Sequence, residues 1–189
     1  MSTQTGLITA EQFMQMHFDV PVELVRGEIV YLYGEDGMTR PDHVHGGVCS
    51  NLAVAISVWA KSRGAGRVST NDSGVKTERD PDTIRGADVA FFPMGRLPGG
   101  KLPKGRTDIA PSLCIEVLSP SNTYGEMTAK REEYLACGVE EVWIVDPESR
   151  SVDVFRSDAP QHRLDDSDML TSRALPGFER PVADIFEGV

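Results

Sequence analysis

The sequence predicts an α/β fold, a central mixed β-sheet flanked by helices, with a short helix and a β-hairpin ahead of it. Three observations carry that expectation. Strand-like apolar runs recur, among them "ADVAFFP", "SLCIEV", "EVWIVDP" and "SVDVFRS". Two other stretches, around residues 44–59 and 123–137, repeat their apolar residues near the helical period. The 189 residues, 40% apolar and 25% charged, suit one soluble domain over residues 1–189, large enough to bury a core.

Taken in chain order, "TAEQ" at Thr9–Gln12 reads as a capping box opening a helix to about His17. "VELVRGEIVYLYG" reads as a hairpin turning at Arg26-Gly27. Val44, Val48, Leu52, Ile56 and Trp59 mark one face of a helix capped by Asp42 and stopped by "RGAG" at Arg63–Gly66. Two short strands follow, near Arg67–Thr70 and Gly74–Thr77, and a stronger one ends at Pro93. "PMGRLPGGKLPKGR", from Pro93 to Arg106, is the stretch richest in turn formers and reads as the most flexible. It lacks the spacing of a phosphate-binding loop, which excludes a nucleotide-binding reading. The Glu116 strand, a helix over Thr123–Cys137 stopped by Gly138, two strands joined by a Pro-Glu-Ser-Arg turn, and a less regular tail anchored by Ile185 and Phe186 complete the chain.

Composition narrows the function classes. No apolar run reaches the roughly 20 residues of a membrane helix, and the first residues lack the basic and apolar regions of a secretory signal. A cytoplasmic protein with no membrane partner is expected. Cys49, Cys114 and Cys137 fit neither a zinc spacing nor a disulfide framework and read as small core residues. The net charge of −10 opposes tight coating of nucleic acid, but the charge is uneven. Residues 61–106 hold ten basic and five acidic side chains, a block that could track a phosphate backbone or form a solvated face.

Glu116 poses the chemical question. It interrupts the apolar run Leu113, Cys114, Ile115, Val117, Leu118, and an unpartnered carboxylate there costs more than a domain can supply. It must be protonated, paired with a cation such as Arg85 or Arg131, or placed where metal or water reaches it. Asp88 opens a second apolar strand after Arg85-Gly86. Alone it reads as a strand-start residue bonded to a turn. Two acids on adjacent strands can converge, and such hard oxygen donors suit Mg²⁺ or Mn²⁺. Lys130 shares a helix face with Met127, Tyr134 and Cys137, turned toward the sheet, while Arg131, Glu132 and Glu133 point elsewhere. It either covers the helix rim with its stem or holds an ammonium beside two carboxylates and a phosphate.

The succession "RGADVAFF", "PSLCIEVLSPS", "KREEYLACGVEEVWIVDP" closely resembles the Uma-type restriction-endonuclease domains of the PD-(D/E)XK nuclease superfamily. "VELVRGEIV" and "HVHGGVCSNLAVAI" extend the likeness over nearly the whole chain. The resemblance implies a restriction-endonuclease-like core, with Asp88 as the acid of the "PD" element and Glu116 as that of "(D/E)XK". Ala87 replaces the proline, and Leu118 stands where the motif lysine would. The family resembles one in which that lysine has moved to the next helix, a place that Lys130 occupies.

The implied activity is metal-dependent hydrolysis of phosphodiester bonds in DNA. Asp88, Glu116 and the Val117 carbonyl would hold Mg²⁺ or Mn²⁺, and Lys130 would act at the phosphate. Glu23, opening a hairpin strand, could lean over the site, and His45, at a helix entry, could meet phosphate or water or simply cap and pack. Tyr134 and Trp143 read as packing residues, Ser119 and Ser121 as turn and cap residues. A homodimer is expected from the family and from the need to cut two strands. A non-catalytic scaffold that keeps the nuclease fold is the competing reading, favoured by the missing motif lysine and the acidic surface. A two-carboxylate glycosidase is weakly supported, because only two Trp and four Tyr are present to build a sugar platform.

Overall fold

The computed structural model of the chain describes residues 6–32, 42–103, 109–120 and 122–189. Ser121, Lys104 and Arg106 lie outside them. Helix α1 (Ala10–Phe13) carries the expected capping box, Thr9 and Gln12 bonding reciprocally, but ends four residues before His17. Strands β1 (Val22–Val25) and β2 (Glu28–Tyr31) form the hairpin, with Arg26 and Gly27 both at positive φ. Helix α2 (His43–Arg63) starts where the Asp42 carboxylate accepts the His45 N–H and stops at Gly64, whose left-handed backbone closes the last turn.

Where two short strands are expected, one long strand forms, β3 (Gly66–Glu78), antiparallel to β4 (Thr83–Pro93). A β-bulge explains the difference. Thr70 faces Val89 and Ser73 faces Ala87, so Asn71 and Asp72 together oppose Asp88. Both bulge residues have positive φ, 67° and 52°, a conformation that Asn and Asp tolerate better than most residues.

The large sheet runs β2-β1-β4-β5-β6-β7-β8, with β3 on the other edge of β4. Strand β5 (Leu113–Val117) pairs antiparallel with β4 and parallel with β6 (Glu141–Asp146), which makes the sheet mixed. β7 (Ser151–Arg156) and β8 (Ala159–Leu164), the latter not anticipated, continue as an antiparallel meander. On one face, Val48, Leu52, Ile56 and Trp59 of α2 meet Val89, Phe91, Leu113, Ile115 and Trp143. The tail closes that core through the β9 (Met169–Thr171) and β10 (Glu179–Pro181) pair and helix α4 (Val182–Ile185), and Ile185 and Phe186 are buried as expected. On the other face, helix α3 (Tyr124–Ala136), capped by Thr123, sets Tyr134 against Ala87, Ala90, Phe92, Cys114 and Val142.

The cysteines and the basic block depart from expectation. Cys114 is buried, but Cys49 and Cys137 are only half-buried. Several cations of the block are spent inside the fold. Lys76 pairs with Asp82 at 2.8 Å, and Arg85 is buried between carboxylates. Arg96 bonds the carbonyls of Ala110 and Pro111 together with Glu140, which pins the described part of the Gly/Pro-rich stretch.

Candidate active site

The site forms in a gap of the sheet. Strand β4 pairs with β1 at Ile84 and with β5 only from Val89 onward. Between them, side chains take the place of a strand partner. The Gly86 N–H donates to Glu23 Oε1 at 2.9 Å, and the Gly86 carbonyl accepts from Lys130 Nζ at 3.5 Å. The alternation of β4 slips here too: Ala87 and then Ala90 and Phe92 face α3, whereas Val89 and Phe91 face α2. Asp88 sits at the slip, opposite the bulge of β3.

Glu116 lies on the α3 side of β5, next to Cys114, and is 5% exposed. Tyr134 donates its hydroxyl to Glu116 Oε1 at 2.7 Å, and Lys130 Nζ holds Oε2 at 3.2 Å. The same ammonium meets Glu23 Oε1 at 3.0 Å. The other Glu23 oxygen accepts from Arg85 at 3.0 Å, and Arg85 clamps Glu133 with Nε and Nη2 at 2.6 and 2.7 Å. The result is an alternating chain, Glu133–Arg85–Glu23–Lys130–Glu116, running from the back of α3 to the middle of β5. Neither Arg85 nor Arg131 is the cation for Glu116. Glu133, expected to point away from the sheet, is buried and supplies one end of the chain.

Lys130 does not fully compensate the carboxyl group. Burial pushes Glu116 up to about 7 against the pull of Lys130, and the charges of Asp88 and Glu23 add to the rise. Lys130 itself is raised, because Glu116 and Glu23 together outweigh the cost of burying its charge.

Asp88 is held from both sides. The Val117 N–H donates to Asp88 Oδ2 at 2.7 Å, and His45 Nε2 lies 3.4 Å from the same oxygen. Burial opposes charging of the imidazole, but the hydrogen bond and charge of Asp88, with Asp72 and Asp42 behind it, raise the His45 pKa. One helical turn on, Cys49 Sγ lies 3.7 Å from His45 Nδ1. Burial and the charges of Asp88, Asp72 and Glu116 keep that thiol protonated, so it is no nucleophile as it stands. His45, Cys49, Asp72 and Asp88 line one cleft of about 790 Å³, which extends along α2 to Lys61.

Asp72 is the acid that the sequence reading passed over. Its backbone packs so closely on β4 that a Cβ at Gly86 would fall 2.9 Å from the Asp72 carbonyl oxygen and 2.8 Å from its Cβ. Gly86 of "RGAD" is therefore what lets the bulge seat a further carboxylate beside Asp88. Burial and Asp88 raise the Asp72 pKa, while Lys130 and His45 oppose the rise. The signal was present in "TNDSG", a turn-forming cluster inside a strand pattern. Tyr134 was also missed, since its apolar helix face concealed the hydroxyl's partner.

The structure thus gathers Glu23, His45, Asp88, Glu116, Val117 and Lys130 around one sheet gap. A family model described as "Putative restriction endonuclease", Uma2, matches residues 10–183. The chain belongs to the Uma2 family. A solved structure from Anabaena variabilis ATCC 29413, described as a putative nuclease belonging to DUF820, superposes with a TM-score of 0.80 at 20% identity, over 95% of this chain and 97% of that one. That likeness establishes a shared fold, so this Uma2 chain has the nuclease-like architecture. No curated protein matches.

Proposed function

We propose that this Uma2 protein is a divalent-metal-dependent endonuclease that hydrolyses phosphodiester bonds in DNA, with Mg²⁺ or Mn²⁺ at Asp88, Glu116 and the Val117 carbonyl. The observation that carries this reading is a charge imbalance. Lys130 bonds both Glu23 and Glu116, Arg85 is divided between Glu23 and Glu133, and Asp72 and Asp88 add two further carboxylates with only His45 beside Asp88 as a cationic partner. Glu141 provides the contrast of a purely structural buried carboxylate. It is saturated by Trp143, Ser172, Arg156 and the Arg173 N–H, and no other acid is bonded to it. At the sheet gap the surplus is negative, made of hard oxygens, and open to the cleft at Asp72 and Asp88. That donor set fits a hard divalent cation.

Such a cation supplies Lewis-acid polarisation of a phosphoryl oxygen and acidifies water. The chain's own residues do the rest. Tyr134 and Lys130 fix the two Glu116 oxygens, and the Val117 N–H and His45 orient Asp88. Lys130, held by Glu116, Glu23 and the Gly86 carbonyl, presents a fixed positive charge to offset charge developing on the phosphate. Asp72 deepens the negative potential that draws the cation in. Two copies acting together would cut both strands.

The buried Lys130–Glu116 pair also favours a second reading, a scaffold that keeps the fold without metal affinity. Calorimetric titration of Mn²⁺ separates the two. Binding that Asp88→Ala and Glu116→Ala abolish without unfolding, together with plasmid cleavage lost in both variants, supports the nuclease. No Mn²⁺ binding by the wild type, with Glu116→Ala merely destabilised, establishes the scaffold.

A further inference from the structure

The cleft holds a second set of donors, of a different chemical kind. His45 and Cys49 are four residues apart on α2, so both side chains leave the same helix face one turn from each other. Asp88 reaches them from β4. One ligand atom from each of His45, Cys49 and Asp88 lies within 4.8 Å of the other two. A tetrahedral ion with bonds of about 2.0–2.3 Å to nitrogen, oxygen and sulfur needs these atoms roughly 3.3–3.8 Å apart. The His45–Cys49 approach of 3.7 Å and the His45–Asp88 approach of 3.4 Å already fall in that range. Those two approaches are to different imidazole nitrogens, so a single ion takes one of them, and the three donors close on it from a spread of no more than 4.8 Å. All three residues line the cleft, which leaves space for a fourth ligand.

We infer that His45, Cys49 and Asp88 form a binding site for Zn²⁺ and similar thiophilic divalent ions, separate in its ligands from the hard-cation set and sharing only Asp88 with it. Mg²⁺ has no use for a thiol or, in general, for imidazole, whereas zinc and cobalt prefer both. As the sulfur bond forms, the Cys49 thiol proton leaves to solvent. Because Asp88 serves either ion, occupation by Zn²⁺ excludes the hard cation. The inference does not depend on nuclease activity.

Cobalt(II) is the probe, titrated into the full-length, reduced chain and followed by absorbance. The expected result is a thiolate-to-cobalt charge-transfer band in the near ultraviolet and tetrahedral d–d bands in the visible, both bleached by Zn²⁺. Cys49→Ser abolishes the charge-transfer band and Cys137→Ser keeps it. His45→Ala weakens cobalt binding at least about tenfold, since losing a ligand costs no less than losing the partner that orients one. Mn²⁺ affinity, read by calorimetry, changes less than about twofold in Cys49→Ser, since manganese favours oxygen donors. Absence of the band in the wild type, or its survival in Cys49→Ser, overturns the inference. If Cys49→Ser is unfolded by circular dichroism, Cys49→Ala is the replacement with the same reading. Failure of Mn²⁺ to bind would sink the nuclease proposal and leave this site standing, and the converse holds equally.

Discussion

From the last turn of α3 the Tyr134 hydroxyl donates to Glu116 at 2.7 Å, and both groups are buried. Removing the hydroxyl leaves one oxygen of a buried carboxyl group without a partner. Tyr134→Phe is expected to lower stability by about 1–3 kcal/mol. It is also expected to weaken Mn²⁺ binding without abolishing it. Denaturant unfolding and calorimetry on the same variant check both.

Lys130 is shared by two carboxylates, so its loss leaves Glu116 with no cation and Glu23 with Arg85 alone. Lys130→Met is expected to cost about 3–5 kcal/mol, the range for breaking a buried ion pair from one side. Removing one stranded charge as well, in Lys130→Met/Glu116→Gln, should recover part of that loss. Plasmid cleavage should be absent from both variants. A cleaving Lys130→Met would remove this residue from the proposed chemistry.

The raised pKa of Glu116 makes stability depend on pH with a definite sign. Its ordinary value is 4.5 and its folded value about 7, so between these limits the native state binds more protons than the unfolded chain. Stability from this group therefore falls as pH rises through that window and levels off above it, by about 3 kcal/mol at most. Lys130 contributes in the opposite range, with stability present below its ordinary pKa and lost only at strongly alkaline pH. Urea midpoints measured from pH 4.5 to 8 should show the decline, and Glu116→Gln should flatten it.

Asp72 should trade stability against function. It is half-buried beside Asp88, which repels its carboxylate. Asp72→Asn is expected to raise the stability of the metal-free protein by about 0.5–1 kcal/mol and to reduce Mn²⁺ affinity. Loss of both properties together would make Asp72 a structural residue.

Gly86 is expected to admit no side chain. A methyl group there meets the Asp72 backbone, so Gly86→Ala should cost about 1–3 kcal/mol, as overpacking does. Mn²⁺ binding should fall with it as the bulge is pushed off β4. Melting temperature and calorimetric titration of this one variant settle the matter.

Much of this arrangement was legible in the residues. Asp42, Thr9 and Gly64 act at the helix ends as their side chains or conformational freedom dictate, and continuous apolar runs mark β5 and β6. Glu116 announced itself because a carboxylate within an apolar run demands an explanation. What periodicity could not reveal was the joining of the pieces on either side of "NDS" into one strand, since a bulge breaks the two-residue alternation that defines a strand. The pairing of Glu133 with Arg85 was illegible for a different reason. Their burial is mutual, and a charged residue reads as solvated until its partner, far away in sequence, is known. Cys49 has the sequence pattern of a core residue because cleft walls and core use the same small side chains.

The alternating chain of charges also bears on how the protein folds. Its members come from β1, β4, β5 and α3, and until α3 docks, Glu23 and Glu116 have no ammonium between them. Joining the hairpin to the sheet early would bring Glu23 toward Glu116 with only Arg85 of β4 to offset the two charges. Contacts this distant in sequence also carry a loop-closure cost. The N-terminal hairpin should therefore join late, after α3 has settled on the sheet, and the gap where these side chains meet should be among the last features to assemble.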